Sequence, residues 1–340
     1  MQPIDVFLPI LLFLTGAVLA APAAVPAPSG LVDLGKRQRP GQGISILTTA
    51  EVHTFRPFTY FASTAYCQPE NTLAWNCGAN CLANPDFIPT ASGGNGSTVQ
   101  FWYVGYSPSE AAVVVAHQGT DVQEIEAVAT DLDLIQTILD EANFPGISPT
   151  VRVHRGFYEA HARSAAEILA AVRQTIRAHG ARRIVTVGHS LGAALALLDG
   201  VFLPLHIREP GIEFESITYG MPRVGNQVFA DYVDSNLNLR HIANKKDPIP
   251  TVPPSEIHIQ IVMIAKHLTT YHLASSFLSL GFLNYRNPAG EIHITENNDW
   301  VHCPGQDNPS TLCIVGVVPN IFEGSRENHS GPFDGIVMDC

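Results

Sequence analysis

The chain reads as an α/β protein, with a mostly parallel central sheet and helices on both faces. Three observations predict this. Short apolar, β-branched runs alternate with helical periodicity from about residue 99 to residue 243, the pattern of βαβ units. A G-x-S-x-G turn falls where one such run ends and a helix begins. Hydrophobic residues make up 46% of 340 positions and charged residues 15%, enough for a large core and too apolar for a disordered chain.

The first residues read as targeting sequence. Residues 6–21 form a nearly continuous apolar run ending in small side chains. The run is short for a bilayer span and contains Pro9, so residues 1–20 are expected to be a secretory signal rather than a transmembrane anchor. An Ala/Pro-rich stretch and the dibasic pair Lys36-Arg37 follow, so 21–37 reads as a propeptide. From 38 to 340 there is no linker and no internal repeat, which predicts a single domain in a secreted, extracellular protein. The expected oligomeric state is a monomer.

Along that domain the elements fall as follows. Residues 99–106 and 111–117 are apolar strands around a Ser-Pro-Ser turn, a hairpin. Residues 159–178 form a helix, with Ile168, Leu169, Val172 and Ile176 on one face and Gly180 as its stop. A buried strand at 184–187 leads into an Ala/Leu-rich helix at 191–201. Strand 217–219, helix 226–235, strand 239–243 and a strand at 291–295 complete the series.

Charge narrows the partners. Lys and Arg total 19 against 31 Asp and Glu, a net charge of −12. No basic stripe is present to neutralise phosphates, which excludes a nucleic-acid binder, and an acidic surface disfavours docking on anionic membranes. Six cysteines in an exported chain imply three disulfides with fifteen possible connectivities. Cys77–Cys81 and Cys303–Cys313 are the natural local loops, which leaves Cys67 with Cys340. No C-x-x-C pair supports a metal centre. His267 and His272 are five apart, not the four that share a helical face, so no metal or cofactor is expected. Asn95 and Asn328 begin glycosylation sequons.

The chemistry lies in Val187-Gly188-His189-Ser190-Leu191-Gly192. A serine between strand and helix, flanked by glycines that clear a tight turn, is the nucleophile elbow of α/β-hydrolase folds. A serine hydroxyl needs an imidazole base and a carboxylate to orient it, and in this fold they follow as Ser, Asp, His. Asp247 stands in the loop after strand 239–243, on the side of the sheet where ligands bind. Asp231 and Asp234 fall in a helix and are poorer choices. Six histidines follow Asp247: His258, His267, His272, His293, His302 and His329. Periodicity does not choose among them.

Four segments carry a resemblance that does. Val153-His154-Arg155-Gly156-Phe157, the serine elbow, Tyr219-Gly220-Met221-Pro222-Arg223-Val224-Gly225-Asn226 and Asp247-Pro248-Ile249-Pro250-Thr251-Val252-Pro253-Pro254 occur in order. Together they resemble the fungal class 3 lipases and their feruloyl esterase relatives, from about residue 45 onward. The resemblance implies an α/β-hydrolase fold and a Ser190, Asp247, His329 triad. It also implies an oxyanion hole from the backbone N–H groups of Leu191 and Thr120. An early helix tied to the C-terminal segment supports Cys67–Cys340. A short lid helix is expected over 121–129, with Val122, Ile125 and Val128 on its apolar face. The implied substrate is an acylglycerol or other ester at a lipid–water interface, most simply a triacylglycerol. A feruloyl or other carboxylic ester hydrolase is the alternative within enzymes, and an inactive lipase-fold binding protein the alternative outside them. One departure stands out: an apolar, His-rich stretch within 255–289, where the family has far fewer residues. It is either an insertion or untranslated sequence read as coding.

Overall fold

The computed structural model of the chain describes residues 43–120, 134–255, 257–267, 270–280 and 284–340. The expected signal and propeptide, and the lid positions Val122, Ile125 and Val128, lie outside the described residues.

The largest sheet has nine strands: β1 (Ser45–Ile46), β2 (Ile88–Gly93), β3 (Trp102–Ser107), β4 (Ala112–His117), β5 (Arg183–His189), β6 (Glu213–Tyr219), β7 (Asn238–Asn244), β8 (Glu291–Ile294) and β9 (Trp300–Cys303). Their spatial order is β1-β9-β8-β7-β6-β5-β4-β3-β2. From β4 to β8 every pair is parallel, with Val115 opposite Thr186, Val187 opposite Ile217 and Ile242 opposite Ile292. The outer strands on both sides pair antiparallel. Parallel neighbours need a crossover, so the alternation of strand and helix reveals them. Hairpin-linked edge strands need none, and alternation misses them.

Helices cover both faces. On one side, α3 (Ala165–His179) and α4 (Leu191–His206) pack Ile168, Val172, Leu197 and Leu198 onto Val113, Val115 and Ile184. On the other, α1 (Arg56–Thr64) packs Phe58, Phe61 and Ala62 onto Val114, Ala116, Val185 and Val187. Adjacent residues of β4 and β5 thus serve opposite clusters, as pleating requires. This two-sided burial makes the central strands continuous apolar runs.

The helix expected over 159–178 is two helices. Between α2 (Arg155–Ala162) and α3 the backbone turns at Arg163 and Ser164, whose N–H groups bond only three residues back. The apolar stripe belongs to α3 alone, whereas α2 buries Phe157 and His161. Gly180 ends α3 in the left-handed conformation at φ +63°, its N–H on the Ile176 carbonyl. The Ala/Leu-rich helix runs past 201 to His206, and α5 (Gln227–Asn236) starts on an Asn226 side-chain cap.

Two smaller sheets lie outside the nine-stranded one. Gln136–Ile138, Arg152–His154, Gly225–Asn226 and Tyr285–Arg286 form a four-stranded antiparallel sheet. The stretch singled out within 255–289 pairs with itself as a hairpin of Ile257–His267 and Thr270–Leu280. Disulfides join Cys67 to Cys340, Cys77 to Cys81 and Cys303 to Cys313.

Candidate active site

Ser190 occupies the turn between β5 and α4 at φ +58°, ψ −127°. A non-glycine residue rarely holds a positive φ, so the turn holds this serine in a strained backbone conformation. The flanking glycines make the turn possible in different ways. A Cβ at Gly188 would clash with the Gly192 carbonyl, inside the turn itself. A Cβ at Gly192 would clash with the His117 carbonyl at the end of β4. The second glycine therefore lets the neighbouring strand's end approach the helix that Ser190 caps. In the loop after β4, a Cβ at Gly119 would lie 3.0 Å from the Ser190 Cβ, so this loop packs directly on the serine. Thr120 follows, buried, and its hydroxyl oxygen has no hydrogen-bond partner among the described residues.

The structure brings Asp247 and His329 together. His329 Nδ1–H donates to Asp247 Oδ2 at 2.9 Å, with both side chains essentially buried. The other carboxylate oxygen accepts from the Ile249 backbone N–H at 2.9 Å, so the loop itself fixes the rotamer. With Nδ1 protonated, His329 Nε2 carries a lone pair, and it has no partner among the described residues. Asn244 Nδ2 donates to the Asn328 carbonyl at 2.8 Å, and the Ser325 N–H donates to the Lys246 carbonyl at 2.7 Å. These bonds lace the His329 loop to the Asp247 loop.

The other histidines have different neighbours. His293 lies on β8, and both its ring nitrogens face backbone carbonyls, of Leu312 and Lys245, at 2.8 Å each. His302 sits half-buried on β9. His258, His267 and His272 fall in the hairpin. Asp231 and Asp234 on α5 bond to Gln306, with Gln227 and the Ala289 N–H as further partners.

Residues not singled out from the sequence also shape this place. Gly220, just past β6 at φ +53°, faces the pair: a Cβ there would meet His329 Cε1 at 2.9 Å and Asp247 Oδ2 at 3.0 Å. It lies in the family-like segment that begins at Tyr219, but nothing local marks its role. His189, the residue before Ser190, is fully buried. Its Nε2–H donates to the His329 carbonyl at 2.8 Å, and the Tyr66 hydroxyl donates to its Nδ1 at 2.6 Å. Burial first, and the nearby His329 imidazole second, push its pKa well below the usual histidine value and keep it neutral, against the pull of the carbonyl bond. A neutral ring with Nε2–H on a carbonyl has one tautomer, so Tyr66 must be the donor. Tyr66 adjoins Cys67, so α1's end, the serine turn and the His329 backbone are linked.

No cation centre competes with this arrangement among the described residues. The Glu291 carboxylate and the sulfurs of Cys303 and Cys313 cluster within 4.8 Å, but both sulfurs are committed to a disulfide. A strained serine, a carboxylate-bound imidazole with a free nitrogen and an unpartnered hydroxyl in the adjacent loop are the groups an acyl transfer requires.

Comparison with known proteins gives a coherent result. The family model for Lipase (class 3) matches residues 114–257. A lipase of Rhizopus niveus is 30% identical over 254 residues, covering 70% of this chain and 59% of its own length. The match therefore spans about three fifths of that relative. A Fusarium solani protein named secreted mono- and diacylglycerol lipase 1 is 31% identical over 247 residues, covering 70% of this chain and 69% of its own. Among solved structures, lipase II from Rhizopus niveus superposes with a TM-score of 0.67 at 24% identity, over 87% of this chain and 98% of that one. The α/β-hydrolase fold is common to both. Among the described residues no helix is long and apolar enough to cross a membrane.

Proposed function

The chain belongs to the class 3 lipase family, and on that premise we propose that it is a secreted serine ester hydrolase acting on acylglycerols. In this reading Ser190 Oγ attacks the ester carbonyl while His329 Nε2 takes its proton. His329 then gives that proton to the leaving alcohol, and water, activated by the same nitrogen, hydrolyses the acyl-enzyme. Asp247 holds the ring in the Nδ1–H tautomer and stabilises the imidazolium. The Leu191 and Thr120 N–H groups carry the oxyanion, with the Thr120 hydroxyl as a further donor. The observation that supports this most is the buried His329–Asp247 bond at 2.9 Å with His329 Nε2 left free.

Triacylglycerol is the proposed substrate, and the mono- and diacylglycerol lipase among the relatives makes partial glycerides the direct comparison. The test is hydrolysis by the secreted protein of emulsified long-chain triacylglycerol, diacylglycerol, tributyrin and methyl ferulate side by side. Activity confined to methyl ferulate would make it a feruloyl esterase, and inertness toward all four would make it a binding protein. Ser190→Ala should lower turnover by at least about 10⁴-fold with the fold intact, leaving only binding and oxyanion contributions. Residual activity near wild type would remove Ser190 from the reaction.

A further inference from the structure

Behind the loop that follows β4 lies a buried polar cluster that the proposed chemistry does not use. His117, the last residue of β4, donates through Nε2–H to Asp199 Oδ2 at 2.7 Å. His161 on α2 donates through Nε2–H to Asp199 Oδ1 at 2.8 Å. None of the three side chains is more than 1% exposed. Their surroundings are apolar, with the rings of Phe144 and Phe202 against His161 at 5.7 and 5.3 Å. Burial opposes the charge on Asp199, but the two imidazole bonds outweigh it and hold its pKa at about 2.

Such a cluster is a poor way to gain stability. A buried ion group is commonly neutral or worse beside apolar residues of the same volume. What it supplies is geometry, since the two oxygens of one carboxylate each accept from a different imidazole. Asp199 lies on α4, two turns beyond Gly192. The same helix therefore meets residue 117 twice: Gly192 abuts its carbonyl, and Asp199 binds its side chain. Ser190 caps that helix, and Gly119 and Thr120 continue directly from His117.

We infer that His117, Asp199 and His161 are positioning residues that fix the loop carrying Thr120 relative to Ser190. This inference rests on the reading of Thr120 as an oxyanion donor. Asp199 clamps the strand end to the nucleophile helix, and His161 holds the second carboxylate oxygen so that the first stays aimed at His117. The carboxylate acts on transition-state binding through the loop and leaves ester binding alone.

The test uses the full secreted chain and two readouts: kcat and KM on p-nitrophenyl butyrate, and inhibition by butaneboronic acid, which forms a tetrahedral adduct on an active serine. Asp199→Leu should lower kcat by about 10- to 100-fold, less than loss of a whole oxyanion donor. KM should stay within about twofold, and the boronate inhibition constant should rise in step with the fall in kcat. Asp199→Asn keeps one accepting oxygen and should fall between Asp199→Leu and the wild type. A folded Asp199→Leu protein with wild-type kcat and boronate affinity overturns the inference. Should that variant not fold, His161→Phe, placed beside Phe144 and Phe202, decides the matter by the same two readouts. Thr120→Pro, which removes the backbone N–H, separates the two layers. If it leaves boronate binding unchanged, the oxyanion reading fails. If it weakens binding while Asp199→Leu does not, only the positioning role fails.

Discussion

Replacing Gly220 by alanine adds one methyl group at the most crowded point beside the His329–Asp247 pair. The new carbon would stand 2.9 Å from His329 Cε1, 3.0 Å from His329 Nδ1 and 3.0 Å from Asp247 Oδ2. Ordinary contacts lie at about 3.5 Å or more, so the pair must retreat by about half an ångström. Neither partner has room, since His329 is 1% exposed and Asp247 0%. Two costs add. Overpacking a buried site costs about 1–3 kcal/mol, and an alanine at φ +53° costs about 1–2 kcal/mol more. The folded state should therefore lose about 2–5 kcal/mol. A misplacement of about 1 Å costs about 100-fold in rate, so half of that predicts about a 10-fold fall in kcat. KM should hardly move, because the acyl chain does not touch this carbon in the proposed chemistry. Calorimetry and p-nitrophenyl butyrate kinetics on the purified variant give both numbers. A protein melting within about a degree of wild type, with kcat within twofold, would refute the account of why residue 220 is glycine.

Other expectations follow from the same structure. Cys340→Ser opens a bond between residues 273 apart. The chain-entropy relation gives about 5–6 kcal/mol for a loop of that length, so the melting temperature should drop steeply and turnover with it as the His329 loop loosens. Peptide mapping that paired Cys67 with another cysteine would contradict this. Glu291 bears on pH: burial is the main cause that raises its pKa to about 8, only partly offset by the Ile314 N–H bond, against an unfolded value near 4.5. Between those values the folded state holds a proton the unfolded state has lost, so this group's contribution to stability is full below about pH 4.5 and is lost up to about pH 8. At about 1.4 kcal/mol per unit, the fall is up to about 5 kcal/mol. Glu291→Gln keeps the acceptor for Ile314 N–H and removes that slope. It should melt higher than wild type at pH 8 and level with it at pH 4.5, and an equal difference at both pH values would rule out the titration.

What could be read in advance depended on the range of the interactions. The serine turn was legible because Gly188 clears Gly192, a contact within five residues. The central strands were legible because burial on both faces leaves an unbroken apolar run. The break between α2 and α3 was not, since the stripe of Ile168 to Ile176 says nothing about residues before 165. The histidine was the hardest choice. His329 meets Asp247 across 82 residues, and six histidines fit the required order, so only the family resemblance singled one out. Between two of them geometry draws a line: His293 spends both ring nitrogens on carbonyls, while His329 keeps one free. Gly220, Tyr66 and the Asp199 cluster act across distances of sequence that no local pattern spans.

The bond from Cys67 to Cys340 also sets an order of events in the protein's synthesis. Its first sulfur sits at the end of α1, close to Tyr66 and the serine turn, and its second arrives 273 residues later. In the proposed secreted protein, β4 and β5 can pair while the C-terminal residues are still being made. The clamp cannot close until Cys340 has come through, and the loop bearing His329 has no covalent tether to the start of the domain until then. In the proposed chemistry, the strand that carries the serine would be in place before its proposed base is clamped, and hydrolytic competence would come late, after most of the polypeptide has been made.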